Sequence, residues 1–127
     1  MRRGTVSKDT TAQGGIEVGD DPRRAVVRLW GDVDASLRDQ ASMAMVALLT
    51  RGGGPIVIDV ADVTFIDSSG IAFVLQVHRM ATDMGSTAVL RDPPVLVIEM
   101  LDLIGLGGTI PFEFSSGDVV GADGALV

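Results

Sequence analysis

Cysteine is absent from this 127-residue chain, and histidine occurs once, at His78. Without cysteine the chain can form no disulfide bond, thiolate nucleophile or thiolate-held metal site, which fits a reducing cytoplasm. One imidazole cannot build a multi-histidine metal site either. Lysine also occurs once, at Lys8, and there is no G-x-x-x-x-G-K loop for binding phosphate. We therefore expect no metal site and no cofactor.

Long apolar runs and an excess of positive charge are missing as well. No apolar stretch approaches the ~18–20 residues that a membrane span needs, so we expect no direct membrane insertion. Residues 1–5 (M-R-R-G-T) are not followed by the apolar core of a signal peptide. The net charge of −7 disfavours binding to nucleic acid and suits a basic partner or simple solubility. With 46% hydrophobic residues, the chain can still fold into one domain with a moderate core.

Hydrophobic patterning indicates an α/β domain. A nearly continuous apolar run at 55–60 is typical of a central parallel strand covered on both faces. Strands and helices alternate along the chain, and right-handed crossovers between them give a mostly parallel sheet. We predict four to five strands, with an antiparallel first strand and helices packed on the sheet. The predicted strands are 16–18, 25–30, 55–60, 87–90 and 110–112, and the predicted helices are 36–51, 70–84 and 94–104.

Composition sets the expected limits of the domain at 16–114. Segments 1–15 and 115–127 mix glycine with small and charged residues without periodicity, and we expect both to be flexible tails. Within the domain, Gly31 is expected to end the second strand. Residues 62–70 are expected to form the loop that follows the third strand.

The tetrapeptide Asp67-Ser68-Ser69-Gly70 lies between the third strand and the following helix. Outward-pointing backbone N–H groups and the helix dipole favour negative charge at such a junction, so it suits a phosphate. Helix capping by Asp67 or Ser68 explains only part of this polar cluster. We expect Ser69 to keep a free hydroxyl and Gly70 to leave room for another molecule. A catalytic serine would need a nearby base, and His78 lies more than two helical turns further on.

Three aspartates are predicted to meet at this junction. Asp32 and Asp34 follow the second strand and Asp67 follows the third, and the carboxyl ends of parallel strands share one edge of the sheet. Such carboxylates can bind magnesium, as in phosphoacceptor receiver domains, but those domains also need a lysine near the site. Here the sole lysine lies in the predicted tail. The lack of a nearby lysine therefore disfavours a magnesium site of that kind.

The helix at 70–84 has a wider apolar face than packing on a sheet requires. Its apolar side chains span roughly 220° of the helical wheel, whereas one sheet face uses a stripe of ~100° or somewhat more. The part of the apolar face that sheet packing does not need, its spare apolar margin, consists of either Phe73, Met80 and Met84 or Ile71 and Leu75. It serves either a neighbouring helix or a partner beside the serines, and Phe73 is the candidate for partner binding.

Two segments of the chain resemble the STAS domain family. Residues 27–34 (V-R-L-W-G-D-V-D) are similar to its G-(E/D)-x-D segment, with Asp32 where glutamate is commoner. Residues 56–71 are similar to its central strand and F-x-D-S-S-G motif. The resemblance covers about 16–114 and implies a STAS-like form of the predicted α/β fold.

With its intact D-S-S-G motif, the chain looks most like the anti-sigma factor antagonists of that family. The resemblance implies that Ser69 is phosphorylated by a partner anti-sigma factor that is itself a serine kinase. The unmodified antagonist would bind this kinase and release the sigma factor, and a phosphatase would reverse the modification. The kinase would dock over Ser69, on a surface that includes Asp32, Asp34, Asp67, Ser68 and Gly70. The implied protein is a cytoplasmic regulatory module and not an enzyme. The alternative is an accessory STAS subunit of a membrane transport complex, bound to a membrane-associated ATPase.

Overall fold

The computed structural model describes residues 13–19, 21–115 and 119–120. These residues form six strands, three α-helices and one short 3₁₀ turn, Ala35–Leu37, which leads into the first helix. The strands are β1 (Gly14–Gly19), β2 (Ala25–Val33), β3 (Ile56–Ile66), β4 (Ala88–Arg91), β5 (Phe112–Glu113) and β6 (Val119–Val120). The helices are α1 (Arg38–Arg51), α2 (Ser68–Asp83) and α3 (Val95–Leu103).

The strands lie side by side in chain order, β1 to β6, in one sheet. The pair β1/β2 is antiparallel, and the three pairs from β2 to β5 are parallel. This arrangement confirms the predicted mostly parallel sheet with an antiparallel first strand. The sixth strand, Val119–Val120, pairs antiparallel with β5 and was not predicted.

Both ends of the sheet reach into the segments that were expected to be tails. Strand β1 begins at Gly14, two residues before the predicted start, because Gly14 and Gly15 pair with Gly31 and Trp30. Strand β6 lies within 115–127. Residues 1–12 and 121–127, on which most of the tail prediction falls, lie outside the described residues.

All three helices pack on one face of the sheet. Each parallel crossover moves one strand further in the same direction, and right-handed connections of this kind place their helices on the same side. The core lies between that face and the helices, where Val27, Leu29 and Ile58 are fully buried. The first part of strand β3, 56–60, is buried on both faces, as predicted, since Val57 points away from this core cluster and is also 0% exposed.

A row of alternating charges crosses the other face of the sheet. Its members are register partners on five neighbouring strands, and each alternates along its strand with side chains of the core. Opposite charges on adjacent strands stabilise a sheet, whereas like charges would destabilise it. The row consists of Glu17, Arg28, Asp59, Arg91 and Glu113.

Glu113 binds two arginines at the end of this row. Its Oε1 accepts from Arg24 Nη1 at 2.7 Å, and its Oε2 accepts from Arg91 Nε at 3.2 Å. The hydrogen bond from Arg24 holds the pKa of the Glu113 carboxyl below its usual range; burial opposes this effect and the bond from Arg91 adds to it. Because Arg24 precedes β2, this ion pair ties the start of β2 to the C-terminal part of the sheet.

We predict that Glu113→Gln lowers the free energy of unfolding by about 1 kcal/mol at pH 7, because it removes a charge-assisted pair. The folded-state pKa of Glu113 is lowered, so its contribution is present above the usual glutamate pKa and is lost as the pH falls through the lowered value. The deficit should therefore shrink in acid. Urea unfolding at several pH values measures it.

Glu99→Gln is the matched control, because Glu99 is exposed on α3. It should leave the unfolding free energy within about 0.5 kcal/mol of the unmodified protein. Equal stability of the Glu113 and Glu99 variants at pH 7 would contradict the account.

Candidate functional site

Asp67 caps the start of α2. Its Oδ1 accepts from the backbone N–H of Ser69 at 2.9 Å and of Gly70 at 3.1 Å, and its carbonyl oxygen accepts from the N–H of Ile71 at 3.0 Å. The helix therefore begins at Ser68, two residues before the predicted start. Ser68 and Ser69 are both exposed, and neither hydroxyl has a hydrogen-bond partner among the described residues.

This cap corrects one expectation about the junction. The sequence predicted outward-pointing N–H groups ready to meet a phosphate. In the structure Asp67 already accepts from three consecutive N–H groups of the first turn, those of residues 69, 70 and 71. These three N–H groups are consequently not free to bind a phosphate on Ser69.

Strands β2 and β3 bring the aspartates to this junction together. The pairing continues to their ends, where Val33 lies opposite Ile66 and the N–H of Asp67 donates to the carbonyl oxygen of Val33 at 3.2 Å. The predictions that Gly31 ends the second strand and that 62–70 is a loop were therefore wrong. Gly31 has a φ of 67° and lies at a register shift, so β2 bulges there and continues.

Gly70 is buried, contrary to the expectation that it leaves room for another molecule. A Cβ atom at this position would lie 2.5 Å from Ile66 Cγ1 and 2.8 Å from the carbonyl oxygen of Val33. Glycine is therefore needed because α2 packs closely against the ends of β2 and β3. Gly70 is thus not an exposed partner contact, although it lines the groove beside Ser69 that is described below.

Each aspartate at the junction has a local hydrogen bond. Asp34 accepts from the N–H of Ser36 at 2.9 Å and from its hydroxyl, which together hold the pKa of the Asp34 carboxyl below its usual range, with the hydroxyl as the larger cause. Asp32 Oδ1 accepts from Thr64 Oγ1 at 3.4 Å. In the part of the chain that is described, no group of three or more possible ligand residues forms a metal site.

A groove of about 490 Å³ separates the N-terminal halves of α1 and α2 beside Ser69. Its floor is apolar and includes Val33, Leu37 and Phe73. Residues of both helices form its walls, among them Arg38, Ala41, Ser42 and Met45 from α1 and Ser69, Ala72 and Gln76 from α2. Asp34 also lines this groove, and together with Asp32 it lines an adjoining cavity of about 310 Å³. The predicted phosphorylation site, Ser69, therefore lies on the wall of a groove that has an apolar floor.

The spare apolar margin predicted for α2 is mostly buried. Phe73 is 4% exposed, and Ile71 and Met80 are buried as well, because the sheet and α3 both pack against this helix. Phe73 therefore forms the floor of the groove and is not an exposed anchor. Only Met84, 39% exposed, remains at the surface from the five residues considered, with Leu75 half-buried.

Exposed apolar side chains instead occur on α1 and at the end of β3. Met43, Val46 and Leu49 on α1 are 72%, 62% and 53% exposed, and Phe65 lies two residues before Asp67. The sequence contained a signal for α1, since its apolar residues are distributed all round the helix. Phe65 was predicted to lie in a loop. It is instead an exposed residue of β3, because this strand continues to Ile66.

The chain thus folds as a small α/β domain. An exposed serine, Ser69, lies in the first turn of a helix at the carboxyl edge of its sheet. A family model described as Mlab, STAS domain matches residues 16–113. The chain therefore belongs to the STAS domain family. A search of curated proteins gave no significant match.

Solved structures of anti-sigma factor antagonists share this fold. The antagonist SpoIIAA in its unphosphorylated form matches with a TM-score of 0.67 at 22% identity, covering 80% of this chain and 90% of that one. An antagonist from Mycobacterium paratuberculosis matches with 0.67 at 20%, covering 78% and 84%. The Bacillus cell fate determinant SpoIIAA in the phosphorylated form matches with 0.64 at 21%, covering 80% and 94%. At these identities the likeness establishes the fold.

We predict that Gly70→Ala lowers the free energy of unfolding by about 1–3 kcal/mol, because the added methyl group meets atoms of Ile66 and Val33. Urea unfolding monitored by circular dichroism measures the loss. Gly19→Ala is the matched control, since its added methyl group would lie 3.8 Å from the nearest atom, an ordinary contact. If both variants are as stable as the unmodified protein, the packing explanation of Gly70 is wrong.

Proposed function

We propose that this chain is an anti-sigma factor antagonist of the cytoplasm, controlled by phosphorylation at Ser69. In this proposal the unphosphorylated form binds an anti-sigma factor kinase and so releases a sigma factor. Phosphorylation of Ser69 switches that binding off, and a phosphatase restores it. Asp32, Asp34, Asp67 and Ser68 belong to the surface that the kinase contacts, and Phe73 contributes through the floor of the groove.

The exposed hydroxyl of Ser69, held on a capped first turn, is the observation that carries this proposal. A kinase must reach the hydroxyl, and the Asp67 cap fixes the backbone that presents it. Ser68 is also exposed, but Ser69 alone of the two lines the groove between α1 and α2. A modification at Ser69 therefore changes the groove directly.

The proposed transfer uses ATP held by the kinase. The Ser69 oxygen forms a bond to the γ-phosphorus, the bond between that phosphorus and the β–γ bridging oxygen breaks, and ADP leaves. The hydroxyl proton passes to a base of the kinase. The product gains a charge of about −1.5 to −2 at neutral pH. The nearby carboxylates of Asp34 and Asp67 would repel this charge, and it would be costly to bury in an interface.

The matched solved structures support the proposal because they include anti-sigma factor antagonists. Two of the matched structures are the same antagonist in an unphosphorylated and a phosphorylated form. A fold of this kind is thus compatible with both states. None of the helices in the described part of the chain is long and apolar enough to cross a membrane.

A binding module accounts for the site better than a catalyst does. His78 lies nine residues after Ser69 on α2, which is about 13 Å along the helix axis, well beyond hydrogen-bond reach. We therefore assign the phosphoryl-transfer chemistry to the partner kinase and the recognition surface to this chain.

An accessory subunit of a membrane transport complex is the second candidate. The apolar side chains of Met43, Val46 and Leu49 favour it, because obligate subunits bury more hydrophobic surface than transient partners do. In that case the chain would bind a membrane-associated ATPase, and Ser69 would not need to be modified.

Incubation with ATP and the purified anti-sigma factor kinases of the source organism tests the proposed function. We expect one of them to add one phosphate, which tandem mass spectrometry should locate on Ser69. Ser68→Ala should still be modified, whereas Ser69→Ala should not. Unmodified Ser69 with every kinase, together with recovery of a transport ATPase in a pull-down, would support the second candidate instead.

A further inference from the structure

Arg38 lies across the groove from Ser69. It is the first residue of α1, it is exposed, and it lines the same groove as Ser69, Ala72 and Gln76 of α2. Among the described residues that line this groove, Arg38 is the one cation and Asp34 the one anion. The serine proposed to receive a phosphate therefore shares its groove with a guanidinium group.

The charge of Arg38 has little stabilisation in the unmodified protein. A cation at a helix N-terminus opposes the helix dipole, which favours negative charge there. Within the described residues, no carboxylate forms an ion pair with Arg38, while Arg24, Arg28 and Arg91 each form one. Arg38 is thus available to an anion that enters the groove.

A phosphate on Ser69 would find few partners on its own helix. The N–H groups of residues 69, 70 and 71 already donate to Asp67. The nearby carboxylates of Asp34 and Asp67 would repel the new charge. A cation beside the phosphate would offset this repulsion, and the groove supplies one on its opposite wall.

We propose that Arg38 binds the phosphate of phosphorylated Ser69 across the groove and thereby closes its mouth. This inference rests on the proposed phosphorylation of Ser69. The planar guanidinium suits two phosphate oxygens at once, which gives such pairs their strength and geometry.

A bridge between Arg38 and the phosphate would cover the apolar floor at Val33, Leu37 and Phe73. Phosphorylation would then act in two ways. It would add negative charge to the docking surface, and it would deny the partner access to the cleft.

Titration of phosphoserine by ³¹P NMR tests this pairing without any kinase. The full chain is made with phosphoserine placed at position 69 during translation, and its second pKa is compared with that of the same protein carrying Arg38→Gln. A cation favours the dianion, so Arg38→Gln should raise this pKa by about 0.5 pH unit. Arg79→Gln is the matched control, because Arg79 is an exposed arginine on α2 that does not line the groove.

An equal pKa in the intact protein and the Arg38→Gln variant would overturn the inference, as would an equal rise in the Arg79→Gln control. Far-ultraviolet circular dichroism checks that both variants are folded, which their exposed positions favour. Because the phosphoserine is installed directly, this result does not depend on which residue a kinase selects. A kinase that leaves Ser69 unmodified would refute the proposed function and would not affect the titration.

Discussion

Asp67 connects the sheet to the helix that carries Ser69. Its backbone N–H bonds to Val33 at the end of β2, its carboxylate accepts from the first turn of α2, and its carbonyl continues into that helix. Replacing such a capping residue typically costs about 1 kcal/mol. Gly70 completes the junction, since only a residue without Cβ lets α2 approach β2 and β3 so closely. The position of Ser69 thus follows from the ends of two strands.

The same constraint shapes the chemistry around Ser69. Because Asp67 uses three N–H groups of the first turn, the helix has little left to offer a phosphate. The groove between α1 and α2 supplies what the helix lacks, with Arg38 on one wall and Ser69 on the other. A charge added at Ser69 therefore affects the surface between two helices. Under the proposed function, modification of Ser69 and partner binding would be linked in this way without a change of fold.

Sequence reasoning predicted the order of elements, the antiparallel first strand and the meeting of Asp32, Asp34 and Asp67 at one edge. Those features depend on local periodicity and on a general property of parallel sheets. It failed at Gly31, because a glycine that ends a strand and a glycine that forms a bulge within a strand give the same signal in the sequence. It misjudged Gly70 and Phe73, whose burial depends on how closely α2 packs against distant strands. Arg38 was missed since its neighbour across the groove lies 31 residues away along the chain.

The most direct test of this account is the affinity of the partner kinase for the two states of the protein. Isothermal titration calorimetry would compare the unmodified chain with the chain that carries phosphoserine at position 69. The account predicts that the phosphorylated form binds at least about tenfold more weakly, a difference of roughly 1.4 kcal/mol. Equal affinities of the kinase for both forms would contradict the claim that Ser69 controls the docking surface.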